Sequence, residues 1–174
     1  MDSKSDEPFN IRKVTEDDAE RVLDYINLVS GESDNLTFGI NELNCTVNEE
    51  KNIIQAINNS KNSVMLIGEI NNEIVVMGNI RGLSRSRINH RGTLAISVLK
   101  KCWNLGIGTK MIVELINFAK SHNIEVLDLE VRTDNVYAVR MYKKAGFEIV
   151  GVYKKYFKID KEYYDAYIMT LELK

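Results

Sequence analysis

The sequence predicts a mixed α/β fold in which a mostly antiparallel central sheet carries helices on both faces. Three observations lead there. The element order reads β-α-α-β-β-β-α-β-α-β-β, the middle strands meet at a tight hairpin, and the second half holds a strand-helix-strand crossover. At 174 residues and 44% hydrophobic content, the chain can bury one sizeable core. Residues 1–8 are expected to be a mobile tail. Residues 9–174 are expected to form one domain, since no repeat or low-complexity linker divides them.

Phe9-Asn10-Ile11-Arg12-Lys13-Val14 alternates apolar and polar residues, the pattern of a half-buried strand. Thr15 followed by Asp18 is a helix-start signal, and a helical pattern runs on to about Val29. Residues 31–44 are polar and irregular, interrupted by Leu36, Phe38, Ile40 and Leu43. Thr46 with Glu49 repeats the start signal, and Ile53, Ile54 and Ile57 give the next helix its apolar face. Strands are expected over 63–70 and 73–80, joined by Asn71-Asn72 as a two-residue turn, and over 92–98. A helix over 108–121 lines up Met111, Ile112, Leu115 and Ala119. A strand over 125–131, a helix over 135–145 and strands over 147–156 and 163–173 complete the order.

Bulk properties exclude several function classes. A net charge of −2 offers no basic field for nucleic acid and no polybasic helix for an anionic membrane. No apolar run approaches the roughly 20 residues that span a bilayer. The polar, acidic start Met1-Asp2-Ser3-Lys4-Ser5-Asp6-Glu7 is not a secretory leader, so a cytoplasmic location is expected. Cys45 and Cys102 are expected as reduced thiols. With only His90 and His122, and no ligand cluster at metal spacing, no metal site is expected.

The most informative segment is ISVLKKCWNLGIGTKM, from Ile96 to Met111. A strand ends, a loop follows, and two glycines open an amphipathic helix whose first N–H groups have no partner within it. Such a terminus suits a pyrophosphate. A dinucleotide fingerprint needs glycine where Met111 stands, and a P-loop needs a longer gap before Lys-Ser/Thr, so both fail. Coenzyme A remains, beside the reading that the glycines only make a tight turn. In EVLDLEVRTDNVYAVRMYKKAGFEIVGV, Asn135 and Tyr142 lie two helical turns apart, about 10 Å along one face. There they suit an extended pantetheine arm. Equally, Asn135 suits a helix cap and Tyr142 a core position, since Ala138, Met141, Tyr142 and Ala145 share a face.

Together the two segments resemble the GNAT superfamily of N-acetyltransferases, through Val98–Met111 and through Asn135-x-x-Ala138-x-x-x-Tyr142-x-x-x-Gly146-Phe147. The resemblance implies a GNAT-like fold and acetyl-CoA as acyl donor. It implies that Ile96 and Val98 offer backbone groups to pantetheine, and that the N–H groups of Leu105, Gly106, Ile107, Gly108, Thr109 and Lys110 hold the pyrophosphate. Asn135 would steady the pantetheine and Tyr142 would be the general acid. Trp103 and Lys144 complete the expected cofactor-facing set, flanked by Lys100, Lys101 and Lys143. The family often has Arg or Gln where Trp103 stands and Gly where Asn104 stands. Those departures alter side-chain contact and loop conformation but leave the helix-terminal N–H groups.

The expected reaction is direct attack of a primary amine on the thioester in a ternary complex, with the Val98 N–H polarising the carbonyl. Neither cysteine has a convincing base beside it, so a covalent acyl-cysteine route is not expected. Candidate bases are Glu130 and His90, with Asp165 behind them. The irregular segment Asn35-Leu36-Thr37-Phe38-Gly39, with Glu42, is the expected acceptor wall, Phe38 and Glu42 its candidate contacts. Small amines, amino acids, polyamines and peptide N-termini stay open as acceptors, and so does homodimerisation through the tyrosine-rich C-terminal strand. A non-catalytic acyl-CoA sensor of the same fold, or an interaction module whose loop merely turns, are the alternatives.

Overall fold

The structure, a computed structural model, describes residues 9–173; the tail expected over 1–8 lies outside the described residues. In chain order the elements are β1 (Asn10–Lys13), α1 (Ala19–Glu32), α2 (Val47–Asn58), β2 (Val64–Ile70), β3 (Glu73–Gly82), β4 (Arg91–Val98), α3 (Ile107–Ser121), β5 (Val126–Arg132), α4 (Val136–Lys144), β6 (Glu148–Ile159) and β7 (Glu162–Glu172). The strands form one seven-stranded sheet in the order β1-β2-β3-β4-β5-β7-β6. Every neighbouring pair is antiparallel except β4 and β5.

Local chemistry explains the boundaries. The Asp18 carboxylate accepts the N–H and hydroxyl of Thr15 at 2.9 and 3.0 Å, and a short 3-10 turn leads into α1. That helix runs three residues beyond the expected Val29. Asn71 and Asn72 both take left-handed φ, 51° and 60°, which sets the hairpin twist between β2 and β3. Val64 to Gly68 are buried one after another, so β2 is covered on both faces. Helix α3 presses on β3 where Gly78 leaves room, because a Cβ there would fall 2.8 Å from Met111 Cγ.

Three expectations need correcting. Ile53 is 45% exposed, and the buried face of α2 is Glu50 and Ile54, with Ile57 half-buried. Residues 50, 54 and 57 share a stripe that Ile53 misses by one helical step. Strand β6 continues beyond Tyr156, and between Tyr153 and Phe157 three of its residues face a single residue of β7. This bulge, with Lys155 at φ 53°, bends the strand's far end. Finally, β7 is paired on both sides, so the sheet's edges are β1 and β6 and not the C-terminal strand.

Candidate active site

The site begins where the one parallel ladder stops. Strands β4 and β5 pair only from Arg91–Val126 to Thr93–Asp128, although β4 runs on to Val98 and β5 to Arg132. Beyond that point their facing edges are unpaired and a cleft opens. Leu99 donates its N–H to Val75 on β3, so by alternation the backbone groups of Ile96 and Val98 point toward the open edge. The strand end is held from behind: the buried Tyr25 of α1 donates its hydroxyl to the Ser97 carbonyl at 2.7 Å. Trp103 folds back at the cleft mouth, its indole N–H donating to the Val98 carbonyl at 2.8 Å. The indole thus occupies one of the backbone acceptors expected to serve a ligand.

Next comes the N-terminus of α3. Gly106 is its N-cap at φ 76°, and no side chain caps the helix. The first intrahelical bond runs from Lys110 N to the Gly106 carbonyl, leaving the N–H groups of Ile107, Gly108 and Thr109 ahead of the ladder. This corrects the expected donor set at Lys110, whose N–H is committed to the helix. Its ammonium lies 5.4 Å from the Phe9 ring centre, another engagement the sequence did not suggest. Asn104 takes φ 63°, the left-handed conformation that Asn tolerates better than most residues, so it does what a glycine there would do. Upstream, the last residue of α1 fixes the loop: the Glu32 carboxylate accepts the Lys100 N–H at 2.7 Å. Lys101 is paired with Glu73.

The two glycines differ in purpose. Gly106 has open space around it and is needed for its φ. Gly108 is buried, and a Cβ there would fall 2.9 Å from Met141 Sδ and 3.6 Å from Val98 Cγ2. Gly108 therefore joins the strand end, α3 and α4, bringing the two sequence motifs into contact.

On α4, Asn135 is the N-cap, its Oδ1 accepting the Ala138 N–H at 3.3 Å. One residue past Met141, Tyr142 is buried with its ring edge-on to Phe147 at 5.7 Å. Its hydroxyl has no hydrogen-bonding partner among the described residues, and burial pushes its pKa up to about 12. Both bland alternatives, cap and core, therefore hold for this pair, and neither takes up the tyrosine hydroxyl. Lys144 and Lys143 line a separate cavity of about 490 Å³ with Val136, Val139, Arg140 and Ile149.

The candidate bases separate. Glu130 is exposed on β5, opposite Ile168 of β7; burial is the main cause that raises the Tyr156 pKa, and the Glu130 charge adds to it. Tyr156 lies within the β6 bulge and lines a cavity of about 490 Å³ with Phe38, Glu42, Asp34 and Asp160. The structure thus brings Glu130 near the wall that holds Phe38 and Glu42. His90 is not brought there. Its carbonyl accepts the N–H groups of Glu125 and Val126 at the start of β4 and β5, the opposite end of these strands from the cleft. Asp165 is tied to the β6 bulge through Lys154 Nζ and the Lys155 N–H, both at 2.8 Å. Tyr156 and the buried Arg132 were missed. Arg132 pairs with Asp134 two residues on, an Arg-x-Asp spacing at a strand end that was the available signal.

Comparisons with known proteins agree with this geometry. Residues 11–168 match the acetyltransferase (GNAT) domain family. The crystal structure of an acetyltransferase of the GNAT family from Streptococcus pneumoniae has a TM-score of 0.93 and 30% identity, covering 95% of this chain and 100% of that one. YncA from Salmonella typhimurium, a putative acetyltransferase solved with acetyl-CoA, shares the fold at 16% identity, with a TM-score of 0.83 over 95% of this chain and 94% of that one. The L-amino acid N-acetyltransferase AaaT of Escherichia coli is 36% identical over 87 residues, 49% of this chain and 54% of the relative. An N-alpha-acetyltransferase of Sulfurisphaera tokodaii is 40% identical over 81 residues, 46% of this chain and 47% of the relative. The matches span about half the length of these curated relatives. With the family match running from the first strand to the last and a cleft between β4 and β5 above the start of α3, the chain belongs to the GNAT acetyltransferase domain family.

Proposed function

We propose that residues 9–174 form one acetyltransferase domain that moves an acetyl group from acetyl-CoA to a primary amine within a ternary complex. The observation that carries this reading is the continuity of three features. The unpaired edge at Ile96 and Val98 and the uncapped N–H groups of Ile107, Gly108 and Thr109 meet at Gly108, and Met141, whose side chain lies against that glycine, immediately precedes Tyr142 with its unpartnered hydroxyl. They fit coenzyme A's chemistry: an extended amide-bearing arm needs a strand edge, and a pyrophosphate needs a helix terminus. Acetyl-CoA supplies the activated thioester.

The chain's own groups do the rest. An alkylammonium with a pKa near 10.4 must lose a proton before it attacks. Glu130 takes that proton, directly or through water, from the side where Tyr156, Phe38 and Glu42 form a wall. The Val98 N–H, on the open edge, is placed to donate to the carbonyl oxygen as charge develops. Tyr142 donates to the leaving sulfur. His90 has no part in this scheme. Amino acids and peptide N-termini lead among the acceptors, because relatives carry the names L-amino acid N-acetyltransferase and N-alpha-acetyltransferase. Small amines and polyamines belong in the same screen.

Both cysteines are free thiols, which supports a reducing, cytoplasmic setting. Among the described residues no helix is long and apolar enough to cross a membrane. A homodimer that used a strand edge would use β1 or β6. The direct test is calorimetry of acetyl-CoA binding by wild type and Thr109→Glu. A first-turn carboxylate favours the helix itself but repels a diphosphate, so lost binding would not reflect unfolding. Tight wild-type binding, abolished in the variant, supports the reading. Absence of wild-type binding to any CoA ester sinks it.

A further inference from the structure

Arg132 is the last residue of β5 and, by alternation, shares a face with Glu130. Its side chain is only 10% exposed. Nε and Nη2 hold the two oxygens of the Asp134 carboxylate at 2.9 and 2.6 Å. Nη1 donates to the Asp34 carbonyl at 3.1 Å, and the guanidinium lies 3.9 Å from the centre of the Tyr164 ring. These partners come from three parts of the fold. Asp34 belongs to the segment between α1 and α2 that walls the acceptor cavity. Asp134 immediately precedes Asn135, the cap of the helix that carries Tyr142. Tyr164 belongs to β7.

An exposed ion pair of this kind would add little. Here the carboxylate is 54% exposed, but the guanidinium is buried, holds it bidentately and is stacked on an aromatic face, the combination in which a planar guanidinium fixes geometry and an ammonium does not. No other group of residues 33–46 hydrogen-bonds to β5, so the bond from Arg132 to the Asp34 carbonyl is the polar link between this wall and that strand among the described residues.

We infer that Arg132 is a positioning residue for the acceptor amine, clasping the α1–α2 segment to the start of α4 and so setting the amine's approach to Glu130 and Tyr142. The inference rests on the acetyltransferase reading. The strand edge and helix terminus proposed for the pantetheine and pyrophosphate lie on β4 and α3, away from the clasp, so donor and acceptor binding respond differently when it is broken.

The experiment compares full-length wild type, Arg132→Met and Arg132→Lys. It measures the acetyl-CoA Kd, hydrogen exchange over residues 33–46 with and without acetyl-CoA, and kinetics with L-phenylalanine, spermidine and an alanine-initiated hexapeptide. In Arg132→Met, exchange over 33–46 should rise about tenfold, the size of one lost hydrogen bond to a charged group. The acceptor KM should rise by a similar factor, while kcat and the acetyl-CoA Kd stay within about twofold. Lysine should rescue only part of either effect. Unchanged exchange and KM would overturn the inference. So would full rescue by lysine, or a rise in exchange spread over β2 to β5 together with weakened acetyl-CoA binding. If none of the three amines is acetylated, the exchange pattern decides alone. Failure of wild type to bind acetyl-CoA overturns the enzymatic reading separately, because the exchange comparison still reports whether the clasp holds the wall.

Discussion

At the scale of single residues, the proposed chemistry turns on Tyr142. Burial raises its pKa to about 12, so the phenol stays protonated throughout the neutral range and is always available as a donor. A free thiol has a pKa near 8.5, so complete transfer from Tyr142 to an equally free thiolate is uphill; in the proposed scheme the hydroxyl would act first as a hydrogen-bond donor to developing charge on sulfur. Tyr142→Phe should lower kcat by about 100-fold and leave the acetyl-CoA Kd unchanged, read from free-thiol release and calorimetry. Unchanged turnover would remove Tyr142 from the mechanism, and no turnover even in wild type would favour the sensor reading. Glu130→Gln should lower kcat/KM by about 100-fold near neutral pH, with the deficit shrinking as pH approaches the amine's own pKa near 10.4. A deficit constant across pH would mean that Glu130 binds the amine and does not deprotonate it. Tyr142 was visible in the sequence because helical spacing tied it to Asn135. His90 was misleading for a physical reason: nearness to a strand in sequence does not say which end of that strand carries the cleft.

The two glycines of the α3 turn separate conformation from packing at the scale of elements. Gly106→Ala forces a Cβ into a left-handed backbone and should cost about 1 kcal/mol, with nothing nearby to repack. Gly108→Ala instead drives a methyl group against Met141, costing about 1–3 kcal/mol. Met141→Ala should therefore recover part of the Gly108→Ala loss in a double-mutant cycle and none of the Gly106→Ala loss, measured by urea unfolding. Equal coupling to both would mean that α3 and α4 meet differently. The sequence made the glycine pair legible as a helix start. It could not reveal that Gly108 faces another helix, because that contact depends on how α3 and α4 are set against the splayed strands. Helices α2 and α3 were readable from capping residues and period. The α2 face was misassigned because Glu50, a charged residue, takes a buried place that patterning reserves for apolar side chains. The β6 bulge was equally hidden, since an exposed edge strand carries little hydrophobic alternation to mark a slipped register.

Across the whole molecule, two halves of a sheet are joined by a short parallel ladder. The first half holds β1 to β4, the second β5 to β7, and only the stretch from Arg91–Val126 to Thr93–Asp128 pairs them. Above it, cohesion rests on side-chain packing around Gly108, Met141 and Tyr142. A ligand laid along the open edge adds hydrogen bonds where the sheet has none and contacts both halves at once. Binding only the folded state at 100 times its Kd contributes about 2.7 kcal/mol, which for a chain of this size raises Tm by about 5–10 °C. Hydrogen exchange should then slow most at Ile96, Val98 and the amides of residues 107–109, and least along β1 and β2. The locality is the decisive part, because mass action alone protects every globally exchanging amide alike. Extra protection confined to the splayed edge would place the donor between the halves. A Tm rise with uniform protection would leave the ligand bound elsewhere, and the cleft without its proposed occupant.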